Sequence, residues 1–338
     1  MIKCEHPIQL RSGLVVPCGH CLLCLSKRRD EWSHRLQLHS YGYDKMPLFV
    51  TLTYDDEHLK FGNSSTLYPR DLRLFIKRIK ENFKLYDTDF TYFGCGEYGD
   101  ERFTHRPHYH ILFFGFDELS DLFDRDWLGA HQLLRSQWIQ GNVDIGRAQW
   151  SGVHYVTKYV LKYDDEQYID QSPFLVASHG IGLPWLKTPE AVFLKSRLEH
   201  LFRSKPALPL LSLDSGYSDF IASCRLARNE IMAYYPRLVA HTPQGVEVPL
   251  PRYIRDKLIG HFELFKDNPY WFLDLLNKEI DSYEYCQNNL QYDFRSDVPM
   301  WQQRIDKIKH KINQRMYLNS KHFRNETIRI GSHPQTCL

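Results

Sequence analysis

Apolar positions along the chain recur with two periods, alternating in some stretches and spaced by three and four in others. Leu48–Tyr54 (LFVTLTY) reads as a buried strand, short and rich in β-branched and aromatic residues. Pro69 opens a helix in which Leu72, Phe75, Ile76, Ile79 and Phe83 form one apolar face, with Arg73, Lys77, Arg78 and Lys80 between them. Phe90–Glu97 is a second strand, Tyr98-Gly99-Asp100-Glu101 is turn-rich, and Pro107–Phe116 closes a hairpin. Leu119–Trp138 is expected to be one helix, Asn142–Arg147 extended, and Gly152–Tyr163 helical. A further helix is expected from near Ser26 through Trp32, Arg35, Leu36 and Leu38. The order β-α-β-β-α-β-α predicts an α+β fold, an antiparallel sheet backed by helices.

Beyond residue 170, loops punctuated by Pro and Gly separate helical stretches near 190–203, 218–235 and 251–292, followed by a polar helix near 297–318. The expected organisation is a Cys-rich segment with a basic helix over 1–40, a core over 41–170, and a mainly helical region over 171–338. No internal repeat or long low-complexity segment interrupts it.

Composition adds two constraints. Hydrophobic residues make up 43% and charged residues 25%, as in ordinary globular proteins, and the net charge of +2 announces no global field for nucleic acid. Aromatic residues reach 14%, enough to build cores and also to offer stacking platforms for unpaired bases. No segment has the roughly 18 consecutive apolar residues of a membrane span. Residues 1–7 lack the basic-then-apolar order of a signal peptide, so a reducing cytoplasm is expected, with the eight cysteines free or metal-bound.

Candidate chemistry begins at Arg106-Pro107-His108-Tyr109-His110, which runs directly into Ile111-Leu112-Phe113-Phe114. On a strand, His108 and His110 share a face while Tyr109 points to the other and is expected in the core. If the hairpin turns near residues 102–103, Glu97 falls opposite His108. Glu97, His108 and His110 would then offer a mixed nitrogen and oxygen set suited to Mn²⁺ or Mg²⁺, with imidazole also suiting Zn²⁺.

Helical spacing gathers Tyr155, Lys158, Tyr159 and Lys162 on one face. A phenol is a poor nucleophile unless its developing charge is offset, and Lys158 lies one turn from Tyr155. Two tyrosines at i and i+4 permit two sequential transesterifications, each conserving the phosphodiester as a phosphotyrosine. The plain alternative is an amphipathic helix with Val156, Val160 and Leu161 in the core.

Cys18-x-x-Cys21-x-x-Cys24 places three thiols within seven residues. Cys4, His20 or His6 would complete a tetrahedral Zn²⁺ site, with Cys4 preferred. Lys27, Arg28, Arg29 and Arg35 follow at once and are candidate phosphate contacts, as is Lys162.

Together these residues resemble a known family. Cys95-Gly96-Glu97-Tyr98-Gly99, Arg106 to His110, Phe114-Gly115 and Tyr155-x-x-Lys158-Tyr159-x-x-Lys162 resemble the replication initiators of microviruses, small single-stranded DNA phages, and in particular their gokushovirus branch. Those are HUH endonucleases, with an RRM-like core. Phe49 to Asp56 looks like the family's first motif, and Pro17 to Cys24 like its N-terminal region. Gly180-Ile181-Gly182 and Pro251-Arg252-Tyr253 look like C-terminal landmarks, although Ala177-Ser178-His179 replaces the family's usual Ser-Arg-x-Pro before the glycines.

The resemblance implies rolling-circle initiation. Tyr155 or Tyr159 would nick the viral origin on single-stranded or supercoiled DNA, leaving a 5′-phosphotyrosine and a free 3′-OH, and a later transfer would circularise the genome. It implies a divalent metal (Mg or Mn), a host helicase and polymerase as partners, no membrane, and action in the cytoplasm of the bacterial host. Rival readings are a non-catalytic zinc-containing DNA-binding regulator, and an HUH single-strand transposase or plasmid initiator.

Overall fold

The computed structural model describes residues 4–11, 13–59, 66–83, 90–99, 106–148, 153, 156–158, 173–204, 211, 216–260, 269–289, 300 and 302–312. Contacts divide the chain into two compact units. One comprises residues 19–191 and 239–254; the other comprises 1–18, 192–238 and 255–338.

The first unit is built on a five-stranded sheet. Its strands are β3 (Leu48–Tyr54), β4 (Thr91–Tyr98), β5 (Pro107–Phe114), β6 (Gly141–Arg147) and β7 (Phe174–Ala177), in the order β6-β3-β5-β4-β7. Every neighbouring pair is antiparallel. The unit also contains helices α1 (Leu22–His39), α2 (Pro69–Phe83), α3 (Asp117–Arg125) and α4 (Trp127–Gln137), and a hairpin of β8 (Val239–His241) and β9 (Glu247–Pro249). The mixed α and antiparallel β architecture is the one the periodicity predicts.

Both faces of the sheet are covered, and the alternation of β5 shows how. Tyr109, Ile111 and Phe113 join Leu72, Phe75, Ile76 and Ile79 of α2 and Ala130 and Leu134 of α4 in one core. Leu112 and Phe114 face the other way, into a second core with Leu36 of α1, Phe93, Cys95, Val153, Val156 and Ile181. A strand buried on both faces must be apolar at consecutive positions, which explains the unbroken Ile111–Phe114 run. Edge strand β6 instead alternates, with Asn142 and Asp144 exposed and Val143 and Ile145 buried.

Two elements differ from expectation. The single helix expected over 119–138 is broken at Asp126, whose side chain accepts a hydrogen bond from the Gly129 N–H at 2.9 Å and so N-caps α4. Hydrophobic spacing continues through the break, so the period alone hides it. Strand β7 has no counterpart in the expected elements; four residues carry too little pattern to distinguish a strand from a loop.

Polar groups are buried on the α2 side and are paired. The Tyr54 hydroxyl donates to Asp71 Oδ2 at 2.6 Å and lies 2.8 Å from the Tyr109 hydroxyl, which accepts from the Tyr68 N–H at 2.8 Å. Burial raises the pKa of both Tyr54 and Tyr109, so Tyr109, although between the two histidines in sequence, is a fixed core phenol and not a nucleophile. Tyr54→Phe removes the phenol donor from a buried carboxylate, and chemical denaturation is expected to show a loss of about 1–3 kcal/mol.

On the other side of the sheet, the Gly180-Ile181-Gly182 turn is tied to α1. Gly180 and Gly182 have φ of 81° and 96°, and a Cβ at Gly182 would stand 2.6 Å from Ile254 Cδ1, so only glycine fits there. The Gly182 N–H donates to His39 Nδ1 at 3.2 Å, which places the imidazole hydrogen on Nε2, facing Thr91 Oγ1 at 2.7 Å. Burial, and then the charge of Arg35, holds His39 down at about 4. His39 is therefore neutral when folded, while the unfolded chain takes up a proton below about pH 6.5. Stability should fall as pH drops from about 6.5 to 4, by at most about 3 kcal/mol from this group, and His39→Gln should flatten that part of a denaturation-against-pH curve.

The second unit contains β1 (Ile8–Gln9), β2 (Val15–Val16), α6 (Tyr217–Tyr234), α8 (Pro269–Asn289) and a helical stretch at 302–312, together with most of α5 (Pro189–Ser204) and of α7 (Arg252–Gly260). Phe220, Cys224 and Ile231 of α6 pack with Phe272, Leu276 and Ile280 of α8 and with Ile305 and Ile308. Glu279 and Arg304 form a buried ion pair at 2.6 Å within this core.

Candidate functional site

The sheet register brings the predicted metal residues together. Glu97 on β4 pairs with His108 on β5, and His110 pairs with Cys95 on one side and Thr51 of β3 on the other. Period two then sends Glu97, His108 and His110 to the same face, that of the core containing Cys95, Leu112, Val153 and Val156. His110 Nε2 lies 3.3 Å from Glu97 Oε1, and both side chains are buried, 7% and 5% exposed. The ring of His108 stacks parallel to that of His110, with centroids 6.3 Å apart and an interplanar angle of 11°. Phe49 stacks on the opposite side of His110 at 5.5 Å.

Each imidazole is anchored through Nδ1. His108 Nδ1 lies 2.5 Å from the Arg106 carbonyl oxygen, and His110 Nδ1 lies 3.1 Å from Thr51 Oγ1. Such anchoring orients rings for metal binding through the other nitrogen. One carboxylate and two imidazoles on one face fit a divalent ion with open positions for oxygen ligands. Sequence reasoning misses Thr51, because its role depends on cross-strand register.

The tyrosine helix is described in part. Residues 153 and 156–158 are helical, with Val153, Val156 and Thr157 buried and Lys158 exposed. Val153 and Val156 lie in the same core as Cys95 and Leu112, so this helix packs on the sheet face that carries the histidines. Tyr155, Tyr159 and Lys162 lie outside the described residues.

At the N-terminal side, the thiols of Cys4, Cys18, Cys21 and Cys24 all lie within 4.8 Å of one another. A tetrahedral Zn²⁺ with bonds of ~2.3 Å separates its sulfurs by roughly 3.8 Å, so small adjustments close such a site. Of the three proposed fourth ligands, Cys4 is the one that joins this group, and its Sγ also accepts the Cys18 N–H at 3.2 Å. The cluster can hold a metal such as zinc. Metal analysis of the purified protein should find about one Zn²⁺ per chain, and Cys18→Ser with Cys21→Ser should abolish it.

The basic candidates differ among themselves. Lys27 and Arg28 are exposed on α1, and Arg29 pairs with Asp30 at 2.8 Å. Arg35 is turned inward, its guanidinium 4.1 Å from the Trp32 ring centre and 4.3 Å from that of Tyr253, with Nε donating to the Ile181 carbonyl. Desolvation there lowers its pKa.

This antiparallel sheet, with its paired histidines, coincides with a recognised sequence class. Residues 47–164 match the family model of replication-associated protein ORF2. Among curated proteins, the chain is 34% identical over 192 residues to replication-associated protein VP4 of Bdellovibrio phage phiMH2K, covering 52% of this chain and 59% of that protein. It is 29% identical over 221 residues to replication-associated protein ORF2 of Spiroplasma virus 4, covering 61% and 64%. It is 26% identical over 199 residues to replication-associated protein ORF4 of Chlamydia phage 1, covering 54% and 48%. The matched region thus spans about half to just under two thirds of these relatives. The matches support a microvirus-like replication initiator, the resemblance carried by the motifs. No solved structure matches the chain, and among the described residues no helix is long and apolar enough to cross a membrane.

Proposed function

We propose that the chain initiates rolling-circle replication of a small single-stranded DNA phage by nicking the viral origin through a tyrosine nucleophile. The observation that carries this reading is the convergence of Glu97, His108 and His110 on the sheet face against which Val153 and Val156 pack. The names of the relatives point the same way. In this reading residues 41–170 form an HUH endonuclease core with an RRM-like sheet, 1–40 a zinc-bearing segment with a basic helix, and 171–338 a helical region.

Glu97, His108 and His110 would hold Mg²⁺ or Mn²⁺, which when bound supplies Lewis-acid polarisation of the scissile phosphate. The phenol oxygen of Tyr155 or Tyr159 attacks phosphorus in line. The new Tyr–O–P bond forms as the P–O3′ bond breaks, and the phenol proton passes through solvent to the departing 3′ oxygen. Lys158 offsets the charge that develops on phenolate and phosphate. The free 3′-OH then primes the host polymerase, with a host helicase opening the duplex. In the second transfer the other tyrosine cuts the regenerated origin, and the released 3′-OH attacks the first phosphotyrosine to close the circle. Lys27, Arg28, Arg29, Arg35 and Lys162 are the proposed DNA contacts, and the bacterial cytoplasm is the proposed setting.

Incubation with single-stranded origin oligonucleotides and Mn²⁺ should give a protein–DNA adduct that survives denaturing electrophoresis. Tyr155→Phe combined with Tyr159→Phe should abolish it, while either change alone retains part. Nicking by the double variant would refute the tyrosine assignment, and no adduct across an origin library would favour the non-catalytic zinc-containing regulator.

A further inference from the structure

We propose that Thr51 is a positioning residue that lets His110 exchange between a state held by Glu97 and a state turned to a divalent cation, whereas His108 is held in its cation-ready form by the backbone. This rests on the reading of Glu97, His108 and His110 as a metal site.

The two histidines look equivalent in the sequence, yet their Nδ1 partners differ in kind. The Arg106 oxygen facing His108 Nδ1 is a carbonyl and can only accept. The neutral His108 therefore carries its hydrogen on Nδ1 and keeps the Nε2 lone pair for a ligand. The partner of His110 Nδ1 is a hydroxyl, which donates or accepts according to its rotation.

On its other side, His110 Nε2 stands 3.3 Å from the acceptor-only carboxylate of Glu97. Without a cation, Nε2 donates to Glu97 and Nδ1 accepts from the Thr51 hydroxyl. With a cation on Nε2, the hydrogen sits on Nδ1 and the Thr51 oxygen accepts it. The change moves one proton from Nε2 to Nδ1 through solvent and rotates one hydroxyl, with no net gain or loss. A carbonyl in place of Thr51 would suit only the second state, and an apolar side chain would satisfy neither. His110 is 7% exposed, so an unmet Nδ1 has little water to turn to.

The register makes this assignment specific to one residue. Thr51 is the residue of β3 directly opposite His110, so no other hydroxyl of that strand holds this place. Thr53, opposite His108, is not needed for the same task, because Arg106 already meets Nδ1 there.

Nitrogen-resolved spectra of the full-length, histidine-labelled protein without divalent cation should show His108 as the Nδ1–H form and His110 as the Nε2–H form. Identical tautomers at the two sites would overturn the proposal. Mn²⁺ titration followed by electron paramagnetic resonance should show Thr51→Val, which keeps the β-branched shape, binding roughly 10–100-fold more weakly than the unaltered protein. Thr51→Ser, which restores the hydroxyl, should return to within about threefold. Unaltered Mn²⁺ affinity in a folded Thr51→Val protein would overturn the proposal while leaving the metal site intact. If the unaltered protein takes up no Mn²⁺ at this site, the metal reading itself falls, and this proposal with it.

Discussion

The antiparallel register of β5 between β4 and β3 is the constraint on which the site depends. Side chains on a strand alternate, so the pairing of Glu97 with His108 and of Thr51 with His110 decides what shares a face. A slip of one residue in β5 would carry both histidines into the α2 core and push Tyr109 among the would-be ligands. Burial enforces the register: Tyr109, Ile111 and Phe113 are at most 1% exposed on one side, and Leu112 and Phe114 are fully covered on the other.

That burial also explains why the polar groups beneath the site are so fully paired. Tyr54, Tyr109 and Asp71 form a hydrogen-bonded set on the α2 side, which pins β3, β5 and α2 together behind the histidines. On the histidine side, Phe49 and His108 flank the His110 ring while Thr51 and Glu97 take its two nitrogens. A ring constrained on both faces and at both nitrogens is pre-organised, so ligand binding has little conformational entropy left to remove. Similar logic holds at His39, whose two nitrogens are committed to Gly182 and Thr91.

Much of the first unit was legible from period and composition. Strand β3 begins and ends where the LFVTLTY pattern does, and α2 runs from Pro69 to Phe83 with the expected apolar face buried. These elements carry strong local signals: alternation in one, and three- and four-residue spacing behind an N-terminal proline in the other. The break at Asp126 and the strand β7 were not legible, because one depends on a single capping bond and the other on four residues finding an open sheet edge. The Cys-x-x-Cys-x-x-Cys spacing foretold a cluster, and the choice of Cys4 as its fourth member required the folded path of residues 4–18.

The sequence by itself determined the chemical inventory: two histidines on one strand face, a glutamate one hairpin away, four cysteines near the start, and the motifs shared with phage replication-associated proteins. Spacing along one element is a local property, and a periodic chain expresses it without help from distant residues. Only the tertiary structure decided which side chains meet across strands. Thr51 precedes His110 by 59 residues, and nothing in either local sequence announces their contact. Cross-strand register is set by the burial of the whole sheet, so the partner that completes each imidazole became visible only once both cores had closed around β5.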